Sequence, residues 1–111
     1  EETSKYVVCI DPGHGDWDYG AINANGTAEK DIALAISLKL GELLQNDDNF
    51  KVIYTRSSDK IDWVKTANDS LKERIKISNI SNADIFIVTI VLILKKYVEL
   101  KHGIILKIMK A

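Results

Sequence analysis

The chain contains little cysteine, little net charge and no apolar run of membrane-spanning length. Its single cysteine, Cys9, cannot form an internal disulfide, and we expect it to be a small core residue because it lies in an apolar segment. The 15 Lys and Arg residues and 16 Asp and Glu residues leave a net charge of −1, without the basic footprint of a nucleic-acid-binding protein. The apolar stretch at residues 85–94 is too short to cross a bilayer as a helix. We therefore expect no nucleic-acid partner and no membrane span.

The length of 111 residues predicts one small domain. The sequence has no internal repeat, no low-complexity segment and no linker. No signal peptide is visible at Glu1, so we expect a secreted protein of this sequence to be in a mature or excised form.

Hydrophobic patterning in the first half predicts a strand, a helix and a second strand. The strand is the apolar run at residues 6–10, which ends in a turn rich in Asp, Pro and Gly. Residues 30–45 follow as a helix and residues 50–54 as the second strand. The apolar face of the helix is expected to comprise Ala33, Ile36, Leu40, Leu43 and Leu44.

The second half predicts another helix and a third strand. Asp69 or Ser70 can cap the helix, which would run to Ser78 with Leu71, Ile75 and Ser78 on one face. Residues 83–88 open a strand that is apolar enough to be buried on both faces. This alternation predicts an α/β fold: a mostly parallel sheet with flanking helices over residues 5–90. Residues 91–111 form a tail of atypical composition.

A histidine and a glutamate stand where a metal site could form. His14 follows the first strand in the segment Asp11-Pro12-Gly13-His14-Gly15, and ligands gather at the carboxyl ends of strands in open α/β sheets. Glu29 opens the first helix and can reach the same loop. Imidazole and carboxylate both bind zinc, but a zinc hydrolase needs a third protein ligand and an open position for water. Otherwise, His14 is a polar turn residue and Glu29 a carboxylate that suits the positive helix end.

Five blocks, in order and at suitable intervals, resemble the zinc-dependent N-acetylmuramoyl-L-alanine amidases of the amidase_3 family. Together they cover residues 5 to about 87. The blocks are residues 8–15, 18–21, 25–31, 52–59 and 71–87.

The resemblance implies an α/β zinc hydrolase that cuts the amide between N-acetylmuramic acid and L-alanine in peptidoglycan, secreted or in the cell wall or periplasm of a bacterium. It places His14 and Glu29 at zinc-ligand positions, and Asp11 could accept a hydrogen bond from the His14 imidazole and orient it. Arg56 and Arg74 are interpreted as structural ion-pair partners rather than substrate contacts. The two tryptophans could line a glycan groove or pack against the loop; they are Trp17 and Trp63.

The chain departs from the family at two catalytic positions. The family's third strand ends in a Ser-(Ile/Leu)-His segment that supplies the third zinc ligand, whereas this chain has Ile90 or Val91 there. The family's catalytic glutamate, on a later strand, has no counterpart before Ala111, so we assign no catalytic residue. His102 lacks a matching context and is not expected to substitute as a ligand.

The tail has a more specific explanation as a frameshift. Residues 97–105 can be back-translated so that the frame starting one nucleotide earlier reads Ile-Cys-Gly-Val-Glu-Thr-Trp-Tyr-Tyr. A Gly-Val-Glu-Thr-aromatic strand is what the family carries after the missing histidine. The hypothesis is that a small deletion near Val88 removed the metal ligand, put the rest out of frame and left a truncated, incomplete fold.

Three hypotheses about function follow from the sequence. A zinc amidase that has lost part of its site should bind zinc weakly and should not hydrolyse peptidoglycan. Alternatively, the chain is a non-catalytic cell-wall-binding module that uses the aromatics of the loop at residues 15–26. The third hypothesis is a product that does not fold stably, because its apolar tail leaves a sheet edge prone to aggregation.

Overall fold

A mostly parallel sheet with two helices forms the protein, as the sequence predicts. The computed structural model describes residues 5–63, 65–91 and 104–110. The strand order in the sheet is β2-β1-β3-β4, in which β1 pairs parallel with β2 and β3, and β4 pairs antiparallel with β3. The elements in chain order are β1 (Tyr6–Pro12), α1 (Glu29–Gln45), β2 (Phe50–Tyr54), α2 (Ala67–Ile80), β3 (Ile85–Val91) and β4 (Ile104–Lys110).

The core lies around β1, which has a strand on each side. Its residues Val8, Cys9 and Ile10 are almost completely buried, as expected for a strand inside a parallel sheet. Val8 stands opposite Val52 of β2 and Ile85 of β3 in the two registers. The structure confirms the expectation that Cys9 is a core residue.

Helix α1 packs on the sheet through small residues rather than through its leucines alone. Ala33, Ser37 and Gly41 recur every four residues and are buried, because small side chains let the helix approach the sheet closely. At Gly41 the Tyr54 hydroxyl occupies the space that a Cβ atom would take. The prediction for Leu43 was wrong, since that side chain is 59% exposed.

Helix α2 begins earlier than predicted and buries a different face. Thr66 caps it by accepting a hydrogen bond from the backbone N–H of Asp69 at 3.2 Å, so neither Asp69 nor Ser70 is the cap. Of the three residues predicted to share one face, Leu71 and Ile75 are exposed and Ser78 is buried. The buried residues are Ser70, Arg74 and Ser78. The polar face turns inward because Arg74 meets a buried carboxylate, that of Asp11.

Strand β3 ends at Val91, three residues beyond the segment at 83–88 that was predicted to begin this strand. The Ser37 hydroxyl donates a buried hydrogen bond to Thr89 Oγ1 at 2.8 Å, which ties α1 to the middle of the sheet. Strand β4, in the predicted atypical tail, lies at the sheet edge beside β3. His102 lies outside the described residues. Within the described ranges, no helix is long and apolar enough to cross a membrane.

Two adjacent leucines of α1 provide a stability test of this packing. Leu44 packs against the cluster of Val8, Ile10 and Ile87, whereas Leu43 faces solvent. We expect Leu44→Ala to lower the free energy of unfolding by about 2 kcal/mol, and Leu43→Ala to change it by less than about 0.5 kcal/mol. Urea denaturation of both variants measures this. Equal losses would contradict the orientation of α1.

Cys9 provides a second test, based on thiol reactivity. Burial raises the pKa of the Cys9 thiol to about 11, so little thiolate is present at pH 8. We expect the native protein to react with an aromatic disulfide reagent only as fast as it unfolds, and the urea-unfolded protein to react at once. Rapid labelling of the native protein would show that β1 is not at the centre of the sheet.

Candidate metal centre

The candidate site lies in the turn that leaves the carboxyl end of β1. His14 and Asp16 have φ angles of 62° and 52°, in the left-handed region, and Gly15 between them has a φ of 125°. Gly15 and Asp18 exchange backbone hydrogen bonds of 2.8 and 2.9 Å, which closes a tight turn. The chain reverses within this turn and presents the His14 side chain towards the start of α1.

The structure brings His14 and Glu29 together, as the sequence motif requires. The Nε2 atom of His14 lies 3.1 Å from Oε2 of Glu29. Two ligand atoms on one tetrahedral zinc, each about 2.0–2.2 Å from the metal, are about 3.3–3.6 Å apart. The pair lies slightly closer than that, so a small separation of the two side chains would place them at two corners of a zinc site.

Asp18 contacts the other imidazole nitrogen, a role that the sequence analysis gave to Asp11. His14 Nδ1 lies 2.8 Å from Asp18 Oδ2, so a proton on Nδ1 would leave the Nε2 lone pair facing Glu29. Asp18 was missed although it belongs to one of the motif blocks. The sequence signal that could have identified Asp18 is its position four residues after His14, across a turn rich in Gly and Asp.

Asp11 instead forms a buried ion pair. Its Oδ1 accepts hydrogen bonds from Thr55 Oγ1 at 2.6 Å and from Arg74 Nη1 at 2.7 Å. Asp11 is still part of β1, opposite Val88, before the chain turns towards His14, and its carboxylate therefore meets α2 and Thr55, the residue after β2, instead of the imidazole. Burial raises the pKa of the Asp11 carboxyl, while Arg74 and Thr55 act in the opposite direction.

Glu29 is held by the loop that connects β1 to α1. Its Oε1 accepts a hydrogen bond from the Ala21 N–H at 3.0 Å, and its own N–H donates to the Ala21 carbonyl at 2.8 Å. Gly20 has a φ of 68°, and a Cβ atom there would lie 2.7 Å from Glu29 Oε1 and 2.9 Å from His14 Cδ2. Only glycine fits between the two candidate ligands.

Lys30, next to Glu29, also holds this loop in place. Its buried ammonium donates to the Asp16 carbonyl at 2.9 Å, pairs with Asp59 at 2.9 Å and lies 3.8 Å from the centre of the Tyr19 ring. These contacts link the tight turn, the loop and the segment after β2, so the first turn of α1 supplies both a candidate ligand and an anchor.

The position expected for a third ligand carries an apolar side chain. A cavity of about 270 Å³ opens beside His14 and Asp18, and Val88 and Ile90, two residues apart on β3, line it. Ile90 Cγ2 lies 3.4 Å from the place where a Cβ on Gly13 would stand, so this side chain is next to the His14 turn. The part of the chain that is described contains no cluster of three or more His, Cys, Asp or Glu residues placed to hold a metal.

The two tryptophans differ in their surroundings. Trp63 donates from Nε1 to Ser70 Oγ at 3.0 Å, and its ring lies 5.3 Å from the Arg74 guanidinium, so it packs against α2. Trp17, at the tip of the tight turn, is 39% exposed, and Tyr19 is 50% exposed. Of the two tryptophans, Trp17 is the one available to a ligand at the loop.

The chain is similar in sequence and in fold to N-acetylmuramoyl-L-alanine amidases. A family profile described as N-acetylmuramoyl-L-alanine amidase matches residues 8–89. A putative N-acetylmuramoyl-L-alanine amidase of Buchnera aphidicola from Schizaphis graminum is 51% identical over 63 residues, which are 57% of this chain and 27% of that protein. AmiA, an N-acetylmuramoyl-L-alanine amidase of Escherichia coli K12, is 38% identical over 82 residues, which are 74% of this chain and 26% of that protein.

Solved structures of N-acetylmuramoyl-L-alanine amidases are also similar to this chain. The crystal structure of an N-acetylmuramoyl-L-alanine amidase from Clostridium difficile 630 superposes with a TM-score of 0.73 at 30% identity, covering 85% of this chain and 47% of that one. The catalytic domain of the amidase CwlV from Paenibacillus polymyxa has a TM-score of 0.68 at 32% identity, over 78% of this chain and 45% of that domain. The chain thus spans about a quarter of these curated relatives, at 27% and 26%. The chain belongs to the N-acetylmuramoyl-L-alanine amidase family.

Proposed function

We propose that His14 and Glu29 are the remaining two ligands of a zinc centre that evolved to cleave the N-acetylmuramoyl-L-alanine bond of peptidoglycan, and that this chain binds zinc weakly and does not hydrolyse its substrate. The observation that carries the proposal is the 3.1 Å approach of His14 Nε2 to Glu29 Oε2 next to Ile90. The family implies a bacterial protein that is secreted or acts in the cell wall or periplasm.

The residues present would supply the first half of such a centre. Zinc, when bound, polarises a carbonyl and lowers the pKa of its water. Asp18 holds Nδ1 of His14, which directs Nε2 to the metal position, and the Ala21 N–H holds Glu29 so that its second oxygen faces the same point. These contacts orient two ligands before any metal arrives, which lowers the entropic cost of binding.

The residue at the third position accounts for the predicted loss of activity. Catalytic zinc sites use three protein ligands and keep one position for water. The hydrocarbon side chain of Ile90 has no lone pair to offer, and it occupies the cavity wall beside the His14 turn. With two protein ligands, zinc would be held too loosely to fix a water molecule and a substrate carbonyl.

A second candidate function is non-catalytic binding of the cell wall. The exposed side chains of Trp17, Tyr19 and Ile22 on the loop after β1 favour it, because exposed aromatics are common in binding surfaces. Pull-down on purified peptidoglycan, with and without a chelator, separates the candidates. Chelator-insensitive binding that is lost in Trp17→Ala but kept in Trp63→Phe would favour the binding module.

We expect zinc binding by the native chain not to saturate at one zinc ion per chain. We expect titration calorimetry to give only weak heats, and a zymogram with embedded peptidoglycan to show no clearing, because two ligands cannot complete the site. A 1:1 isotherm at micromolar zinc, or a zone of clearing, would overturn the proposal.

Replacing the third-position residue should restore metal binding. We expect Ile90→His to tighten zinc binding by at least about 100-fold, since it adds an imidazole to an oriented pair. Ile90→Asn is the matched polar control and should bind no better than the native chain. The double variant Ile90→His with His14→Ala should lose the gain; if it keeps the gain, the new histidine binds zinc elsewhere.

A further inference from the structure

The chain has only two arginines, and both are buried behind the turn that carries His14. Arg56 follows β2 and is 5% exposed, whereas Arg74 is in α2 and is 4% exposed. The other 13 basic residues are lysines. The two guanidinium groups come from different elements and meet the same three-residue segment of backbone.

Arg56 donates to five carbonyl oxygens. Its Nε atom donates to His14 at 2.8 Å and to Pro12 at 3.2 Å, and Nη2 donates to Gly13 at 2.8 Å. The remaining donors reach the carbonyls of Lys30 at 3.0 Å and Ser58 at 2.8 Å. One planar group therefore joins the His14 turn, the first turn of α1 and the segment after β2.

Arg74 reaches two of the same carbonyls from the other side. Its Nη1 donates to Pro12 at 2.7 Å, and its Nη2 donates to His14 at 2.7 Å. Nη1 also pairs with the Asp11 carboxylate, and Nε donates to Ser70 Oγ at 3.2 Å. The Pro12 and His14 carbonyls thus each accept from both arginines.

Two neighbouring buried cations repel each other, so the arrangement costs free energy that a merely structural turn could avoid. Burial and the charge of Arg74 lower the pKa of the Arg56 guanidinium. The Asp11 carboxylate and the carbonyl dipoles offset the positive charge of the two guanidinium groups. A lysine could not replace either residue, because its ammonium is a point donor without the planar fork that reaches several fixed acceptors.

We propose that Arg56 and Arg74 are positioning residues for His14: by holding three consecutive carbonyls, of Pro12, Gly13 and His14, they impose the left-handed backbone at His14 and so aim its Nε2 at Glu29. An effect of the two arginines on zinc binding rests on the proposed function. Their effect on the orientation of the imidazole does not. The hydrogen bonds of both arginines to this segment go to backbone carbonyls.

The test is the tautomer signature of His14, that is, the chemical shifts of its two ring nitrogens, measured for all variants at one fixed pH by long-range ¹H–¹⁵N correlation. A His102→Gln background removes the second histidine signal. We expect the parent to show one ring-nitrogen signature, set by Asp18 at Nδ1 and Glu29 at Nε2, and Arg56→Lys and Arg74→Lys to show a mixture although their amide spectra remain folded. Val8→Ala is the matched control, because it destabilises the far end of β1 without touching the turn.

The proposal is overturned if either folded lysine variant keeps the parental signature, or if Val8→Ala alters it as much. Should both lysine variants unfold, Ser70→Ala decides: it removes the acceptor of Arg74 Nε together with that of Trp63 Nε1, and Trp63→Phe is the control that removes the Trp63 hydrogen bond alone. A partial shift towards the mixture in Ser70→Ala supports the proposal, and an unchanged signature overturns it.

A zinc measurement then separates this inference from the proposed function. In the Ile90→His background, Arg56→Lys should weaken zinc binding by about 10- to 100-fold, the effect of residues that orient a ligand. If Ile90→His binds no zinc, the proposed function fails, while the tautomer measurement still decides the role of the arginines. If Ile90→His binds zinc and Arg56→Lys leaves the affinity unchanged, the positioning role fails.

Discussion

The buried ion pair between Asp11 and Arg74, 2.7 Å long, is the interaction on which the rest of the site depends. It joins the end of the central strand to the second helix, and its arginine also holds two carbonyls of the next turn. Removing one partner of such a pair leaves an uncompensated charge in the interior, so both residues are needed together. The turn, the imidazole and the cavity beside it are all built on this pair.

The fold and the metal chemistry are separable in this family member. The sheet, the glycine between the candidate ligands and the two arginines surround His14 and Glu29. In the proposed function, the missing ligand corresponds to Ile90, whose hydrocarbon side chain lines the cavity. The packing and hydrogen bonds of this framework do not require the metal, so on that proposal the fold would outlast the ligand set.

Sequence reasoning located three of the four described strands and the His14–Glu29 pair, but it missed β4 and failed where the buried residues are polar. Strand β2 was predicted at its observed bounds, and α1 within one residue of its start. The prediction of the α2 face was wrong for Leu71 and Ile75, because it relied on the spacing of apolar residues. The buried carboxylate of Asp11 instead attracts Arg74 to the interior. The roles of Asp11 and Asp18 depend on which carboxylate the turn brings to the imidazole, and periodicity does not encode that geometry.

The most direct test of the central claim is the absorption spectrum of the native chain titrated with cobalt(II), which reports how many protein ligands hold the metal. A half-built centre predicts weak bands of a largely hydrated ion that do not saturate at one equivalent. Intense bands of a tetrahedral site, saturating at one cobalt per chain and abolished in His14→Ala, would contradict the account by showing that the centre is complete.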